Sequence, residues 1–164
     1  MGTWEPCKGA TDEWYTPPYI FRALGEGFDL DVAAPPDGPP HVPAERWLSE
    51  AGLETEWSGF VWMNPPFGGR NALTPWVLKL LAHRDGGIGL VPDRTSAPWF
   101  RPIFERADAI LFFRRKVHFL RPDGTVGKAP GSGTALFAVG ERAVRALERA
   151  EREQLGAVVY PHRK

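Results

Sequence analysis

Short runs that are apolar at every position recur along the chain and are separated by amphipathic stretches. Phe60-Val61-Trp62-Met63 is one such run; residues 87–91, 109–113 and 134–139 are others. Runs of this length that never alternate with polar residues predict strands buried on both faces. Residues 28–33 predict a further short strand and residues 155–160 a last one. Between them lie helical signals. Thr16-Pro17-Pro18 breaks the chain, and residues 19–24 read as a short helix ended near Gly25 and Gly27. Residues 44–51 read as one or two turns of helix. Residues 74–81 carry Thr74 as N-cap, Pro75 at the first helical position and apolar residues at helical spacing. Residues 97–106 read as a helix that Pro102 strains, and residues 141–154 as a charged helix. Residues 34–43, with five prolines, form a loop. Strands alternating with helices, several of them fully apolar, predict an α/β fold with a mostly parallel sheet flanked by helices on both faces.

Length fits this picture. At 164 residues the chain supports one domain, read as residues 13–164 behind a loose N-terminal arm at 1–12. No apolar run approaches the roughly 18 residues that cross a bilayer. Residues 1–6 show no basic segment followed by an apolar one, so no signal peptide is expected. Cys7 is the only cysteine and the four histidines have no ligand spacing, so neither a disulfide nor a metal site is expected. These features point to a cytoplasmic, metal-free protein. The formal net charge is zero, which weighs against a nucleic-acid partner. Local charge weighs the other way: Arg114-Arg115-Lys116, followed by Arg121 and Lys128, is a basic stretch able to meet phosphates. Seven tryptophans is a high number for this length. Most read as core, although Trp14, Trp57 and Trp62 lie beside the motifs below and are candidates to line a ligand pocket.

Asn64-Pro65-Pro66-Phe67 follows a buried strand directly. In parallel sheets ligands bind beyond the carboxyl ends of strands, so this tetrapeptide falls on the functional edge. Two prolines make a stiff turn lacking two backbone donors. The Asn64 carboxamide oxygen and the Pro65 carbonyl are two acceptors able to share one amino group, and Phe67 offers a flat face for a base. An exocyclic amine on a heteroaromatic ring is a poor nucleophile because its lone pair is delocalised. Two acceptors on its hydrogens favour a tetrahedral nitrogen, and they stabilise the positive charge that develops there during alkylation. Stacking fixes the ring for in-line attack.

Other segments extend the signal: Asp12-Glu13-Trp14-Tyr15-Thr16-Pro17, the strand Phe28-Asp29-Leu30-Asp31-Val32-Ala33-Ala34, Val61-Trp62-Met63 leading into the tetrapeptide, Gly89-Leu90-Val91-Pro92, and Arg115-Lys116-Val117-His118-Phe119-Leu120 followed by Pro122-Asp123-Gly124 and Gly131-Ser132-Gly133. Together, and in this order, they resemble the phage-type N-6-adenine DNA methyltransferases, the Dam-like enzymes, over nearly the whole chain. The resemblance implies a Rossmann-like class I methyltransferase fold, S-adenosylmethionine as methyl donor and DNA as substrate. It implies that Asn64, Pro65, Pro66 and Phe67 are catalytic, that Tyr15, Thr16 and Pro17 touch the cofactor, and that Asp31 and Ala33 lie near its methionine part. Asp31 is also the kind of residue that caps a turn. The glycine-rich turn usual after the first strand of methyltransferases is replaced by Asp31-Val32-Ala33-Ala34, and Glu50, Glu54 and Glu56 are the candidates for a ribose-binding acid. With no insertion large enough for a recognition domain, Arg114, Arg115 and Lys116 are the candidate DNA contacts, and a target base has to be flipped out to reach Phe67. The same tetrapeptide form serves enzymes acting on cytosine N-4, on RNA or on protein glutamine. A catalytically silent DNA-binding module of the same fold is the alternative of another class.

Overall fold

Pro17, Pro18 and Gly25 set the two ends of the first helix. In the computed structural model, which describes residues 14–68, 71–127 and 131–162, α1 (Pro18–Leu24) has extended Pro17 as its N-cap. Gly25, in the left-handed conformation at φ 62°, returns its N–H to the Phe21 carbonyl. The helix buries Ile20, Phe21 and Leu24. The arm at 1–12 and Lys128 lie outside the described residues.

The chain then runs through β1 (Phe28–Asp31), β2 (Ala44–Trp47), β3 (Val61–Met63), α2 (Thr74–Leu81), β4 (Gly87–Pro92), α3 (Arg101–Arg106), β5 (Ala109–Phe113), β6 (Thr134–Val139), α4 (Glu141–Arg152) and β7 (Gly156–Val159). All seven strands form one sheet in the order β2-β1-β3-β4-β6-β5-β7. The ladders joining β2, β1, β3 and β4 are parallel. β6 is inserted antiparallel between β4 and β5, and β7 pairs antiparallel with β5. The expectation of a mostly parallel sheet therefore holds for the direction of β1 to β5, and the other half of the sheet is mixed.

Because side chains alternate across a strand, each buried strand feeds two cores. On one face α1 and α4 cover Trp62, Ile88, Leu90, Leu111 and Leu136. On the other, α2 and α3 cover Val61, Met63, Val91, Ile110 and Phe137. Full burial of one such side chain contributes about 1.5–3 kcal/mol. The alanine-rich face of α4 (Ala143, Ala146, Ala150) lets it lie close, and Arg142 and Arg149 tie it to α1. Both guanidiniums reach Glu26, at 2.9 and 2.5 Å. Burial alone lifts the Glu26 carboxyl, but its hydrogen bonds to Arg142 and Arg149 and their charge outweigh that and hold it below the usual range.

Three local readings are corrected. Residues 44–47 are a strand, not a helix: Ala44, Arg46 and Trp47 pair with Phe28, Leu30 and Asp31, and the ladder overrides a helix-forming composition. Thr74 is not the cap of α2; Leu73 is, and Thr74 and Pro75 occupy the first turn. α3 begins at Arg101 rather than at residue 97, so Pro102 sits in a first turn, where its missing N–H costs nothing. Trp57 and Trp62 are also core rather than pocket walls: Trp62 is buried against Phe21 and Phe28, and Trp57 is buried with its Nε1 donating to the Gly52 carbonyl at 2.7 Å.

Candidate active site at the strand switch

The chain leaves β1 for β2 on one side and then crosses back to β3 on the other. Such a reversal opens a crevice at the carboxyl ends of the two diverging strands, where open α/β sheets take their ligands. The ends here are Asp31 on β1 and Asn64 just past β3. The register pairs Asp31 with Trp62, so the Asp31 side chain shares the face covered by α1.

Asp31 is only 3% exposed. Its carboxylate accepts the Ala33 N–H at 3.1 Å. Burial raises its pKa to about 7, and the Ala33 N–H offsets that only in part. The main chain around it is knitted to the segment after β2: the Leu48 N–H donates to the Asp31 carbonyl at 2.8 Å, and the Ala34 N–H to the Leu48 carbonyl at 2.9 Å. Ala33 itself is half-buried.

Asn64 is half-buried, and its Nδ2 donates to the Thr16 hydroxyl oxygen at 3.1 Å. Using the amide nitrogen in this way turns Oδ1 to the other side, as an acceptor with no hydrogen bond among the described residues. Thr16 is 3% exposed, so the bond is shielded from competing water. Its place is set from both sides. Pro17 caps α1, and Tyr15 pairs with Leu120 through two main-chain bonds of 2.8 and 2.9 Å. Pro65 is buried, whereas Pro66 and Phe67 are exposed, Phe67 to 40%. A rigid turn thus presents an aromatic face to solvent beside a fixed carboxamide.

Leu120 pairs in turn with Val126 across an exposed hairpin, and Trp14, itself 43% exposed, rests on Gly127 of that hairpin. A cavity of about 320 Å³ opens among Tyr15, Gly38, Pro39, Trp47 and Pro122; Asp31 and Asn64 do not line it. Tyr15 therefore has one side on open volume and its neighbour Thr16 in the interior.

At the switch, Asn64 is bonded to Thr16 and follows the strand that pairs with Asp31, so three separate stretches of sequence meet at one edge of the sheet. The crevice does not include the basic stretch. Arg114, Arg115 and Lys116 are exposed on the same edge but follow β5, with β4 and β6 between them and β3. Lys116 Nζ reaches the Gly131 carbonyl at 3.4 Å. Sequence reasoning missed the Thr16–Asn64 bond, whose partners are 48 residues apart with no shared motif, and the part Leu48 plays through its backbone alone. Glu50, Glu54 and Glu56 are all exposed, and Glu50 stands nearest the end of β2.

Among the described residues no helix is long and apolar enough to cross a membrane, and no group of His, Cys, Asp and Glu is arranged to hold a metal ion. No curated protein and no solved structure matches the chain. The family model described as DNA N-6-adenine-methyltransferase (Dam) matches residues 5–147. With that match spanning most of the sequence and the crevice lying within it, the chain belongs to the DNA N-6-adenine-methyltransferase (Dam) family.

Proposed function

We propose that the chain, acting in the cytoplasm, transfers a methyl group from S-adenosylmethionine to the exocyclic N-6 amine of adenine in DNA, with residues 13–164 working as one methyltransferase domain. The observation that carries this reading is the Asn64 carboxamide at the strand switch, its amide nitrogen held by Thr16 and its oxygen without a hydrogen bond among the described residues, just past the strand next to the one that ends in Asp31. The parallel wing β2-β1-β3-β4, its switch point and the antiparallel β6 inserted beyond it support a Rossmann-like class I arrangement.

The residues present fit the donor. A buried carboxylate that burial holds near neutrality suits a ligand ammonium, and the methionine part carries one. When bound, S-adenosylmethionine supplies an electrophilic methyl group on a sulfonium. Asp31 binds the donor's ammonium, with Ala33 beside it and Tyr15 and Pro17 bordering the site. Glu50 follows Asp31 by about twenty residues, the spacing at which dinucleotide-binding folds put their ribose acid, so it is the member of the glutamate trio assigned to the ribose. Asn64 Oδ1 and the Pro65 carbonyl accept from the adenine amine and stabilise the positive charge that builds on its nitrogen. Pro66 keeps the turn stiff, and Phe67 stacks on a base turned out of the duplex. Arg114, Arg115 and Lys116 meet backbone phosphates, adding affinity without reading sequence.

The substrate class is tested by offering the purified chain a labelled methyl donor with duplex DNA, structured RNA and a glutamine-bearing protein in parallel. Label is expected in DNA alone. Label in RNA or protein, with DNA unlabelled, would overturn the assignment.

A further inference from the structure

The loop after β2 is held by α2 and the residues just past its end. Trp76 and Lys79, three apart on the helix, and His83, beyond its C-cap, all turn to residues 51–59. The Lys79 ammonium donates to the carbonyls of Gly52, Leu53 and Thr55 at 3.2, 2.7 and 2.6 Å. An ammonium has three donors, so each has its acceptor. The same Nζ lies 4.6 Å from the centroid of the Trp57 ring, and Trp57 stacks on Trp76. His83 Nε2 bonds the Gly59 carbonyl at 2.8 Å.

This clasp holds a turn that is pressed and strained. Ala51 has φ 51°, a left-handed conformation costly for a residue with a Cβ. Gly52 lies so close to β1 that a Cβ there would be 2.3 Å from the Val32 carbonyl oxygen and 2.7 Å from the Trp76 ring. The turn thus abuts the residue after Asp31, and Glu50 directly precedes the strained alanine. α2 in turn follows the Asn64-Pro65-Pro66-Phe67 segment in the chain.

We infer that Lys79 is a positioning residue: by capping the carbonyls of the 52–55 turn it fixes the wall formed by residues 48–52, and with it Glu50, against the Asp31 end of the donor crevice. Without the ammonium, the Leu53 and Thr55 carbonyls lose this donor and Gly52 keeps only the Trp57 Nε1–H; Ala51 is then free to relax out of the left-handed region, and Glu50 moves with it. This inference rests on the proposed donor site.

The test is a double-mutant cycle of Lys79→Met, which keeps the apolar stem, with Glu50→Gln. Donor affinity is read by calorimetry, turnover at saturating donor, and the fold by circular dichroism. Lys79→Met is expected to weaken donor binding about tenfold and leave saturated turnover within about twofold. Glu50→Gln is expected to cost about tenfold in the wild-type background and under about twofold once Lys79 is gone, because Glu50 is then already misplaced. Losses that multiply would show that Lys79 does not act through Glu50 and would overturn the inference, as would a loss confined to turnover. If Lys79→Met does not hold its fold, the cycle is run with Lys79→Gln under the same two outcomes. A wild-type chain that binds no donor overturns the donor site itself; a wild type that binds, beside a Lys79→Met variant that binds as tightly, overturns this inference alone.

Discussion

Asn64→Ala is expected to fold like the wild type, bind the methyl donor with nearly unchanged affinity, and lose roughly a hundred- to thousand-fold in single-turnover rate. The separation follows from the site. Asn64 is half-buried on a turn stiffened by Pro65 and Pro66, so trimming it removes little packing. It does remove the oxygen proposed to meet the adenine amine, an interaction that strengthens only as charge develops on nitrogen. Such a loss falls on turnover rather than on binding. Two further substitutions sharpen the point. Asn64→Asp keeps an acceptor and still has a partner, because the Thr16 hydroxyl can donate to a carboxylate as readily as it accepts from an amide; partial activity should survive. Thr16→Val keeps the shape but frees the carboxamide to rotate, and should lower the rate without the full loss seen for alanine at 64. An Asn64 with only a structural role would behave otherwise: melting temperature would drop, and activity would fall in step. Normal folding of Asn64→Ala with DNA methylation within about threefold of wild type would remove the transition-state role.

The second large effect concerns Asp31 and pH. Burial raises this carboxyl to about 7 in the folded chain, whereas an exposed aspartate titrates near 3.9. The folded state therefore holds the proton more tightly than the unfolded state does. Stability falls as pH rises from about 4 to about 7, and above 7 the full cost of ionising the buried group is present, roughly 4 kcal/mol for a difference of about three pH units. In the proposed donor site, a bound ammonium is what offsets that cost. Donor affinity should accordingly weaken as pH drops below 7, by up to about tenfold per unit, because a proton on Asp31 competes with the ammonium. Asp31→Asn should raise the melting temperature of the donor-free chain by several degrees at pH 8, change it little at pH 4, and abolish tight donor binding. A variant that gains stability by losing its ligand is what a site built around a buried charge predicts. Equal melting temperatures for the Asp31→Asn variant and the wild type at both pH values, or a donor affinity flat from pH 5 to 8, would refute the role given to Asp31.

The sequence made some parts of this structure legible and hid others for physical reasons. The strands at 61–63, 87–92, 109–113 and 134–139 could be read because each is buried on both faces and so apolar throughout. Strand β2 could not, because Glu45, Arg46 and Trp47 are exposed at the sheet edge and nothing in their pattern reports the backbone ladder to β1. The tetrapeptide could be picked out because a proline pair directly after an apolar run ends a buried strand in a stiff turn. The support of Asn64 did not, since Thr16 reaches it only when β3 and the start of α1 come together. The Lys79 clasp was hidden for a related reason: its acceptors are backbone carbonyls, which every residue carries. Trp57 and Trp62 looked like pocket candidates from their proximity to motifs, yet Trp62 on β3 points into one core and Trp57, in the segment between β2 and β3, into the other. The basic residues 114–116 were visible as charge, but only the strand order shows that they share an edge with Asn64 at a distance of several strands.

The most direct test of the central claim is the chemical identity of the product. Duplex DNA incubated with the purified chain and S-adenosylmethionine is digested to nucleosides and analysed by mass spectrometry, with the Asn64→Ala chain in parallel. N-6-methyladenine is expected as the methylated nucleoside, with its yield collapsing in the variant. Methyl groups on cytosine N-4, or N-6-methyladenine formed equally well by the variant, would contradict that claim.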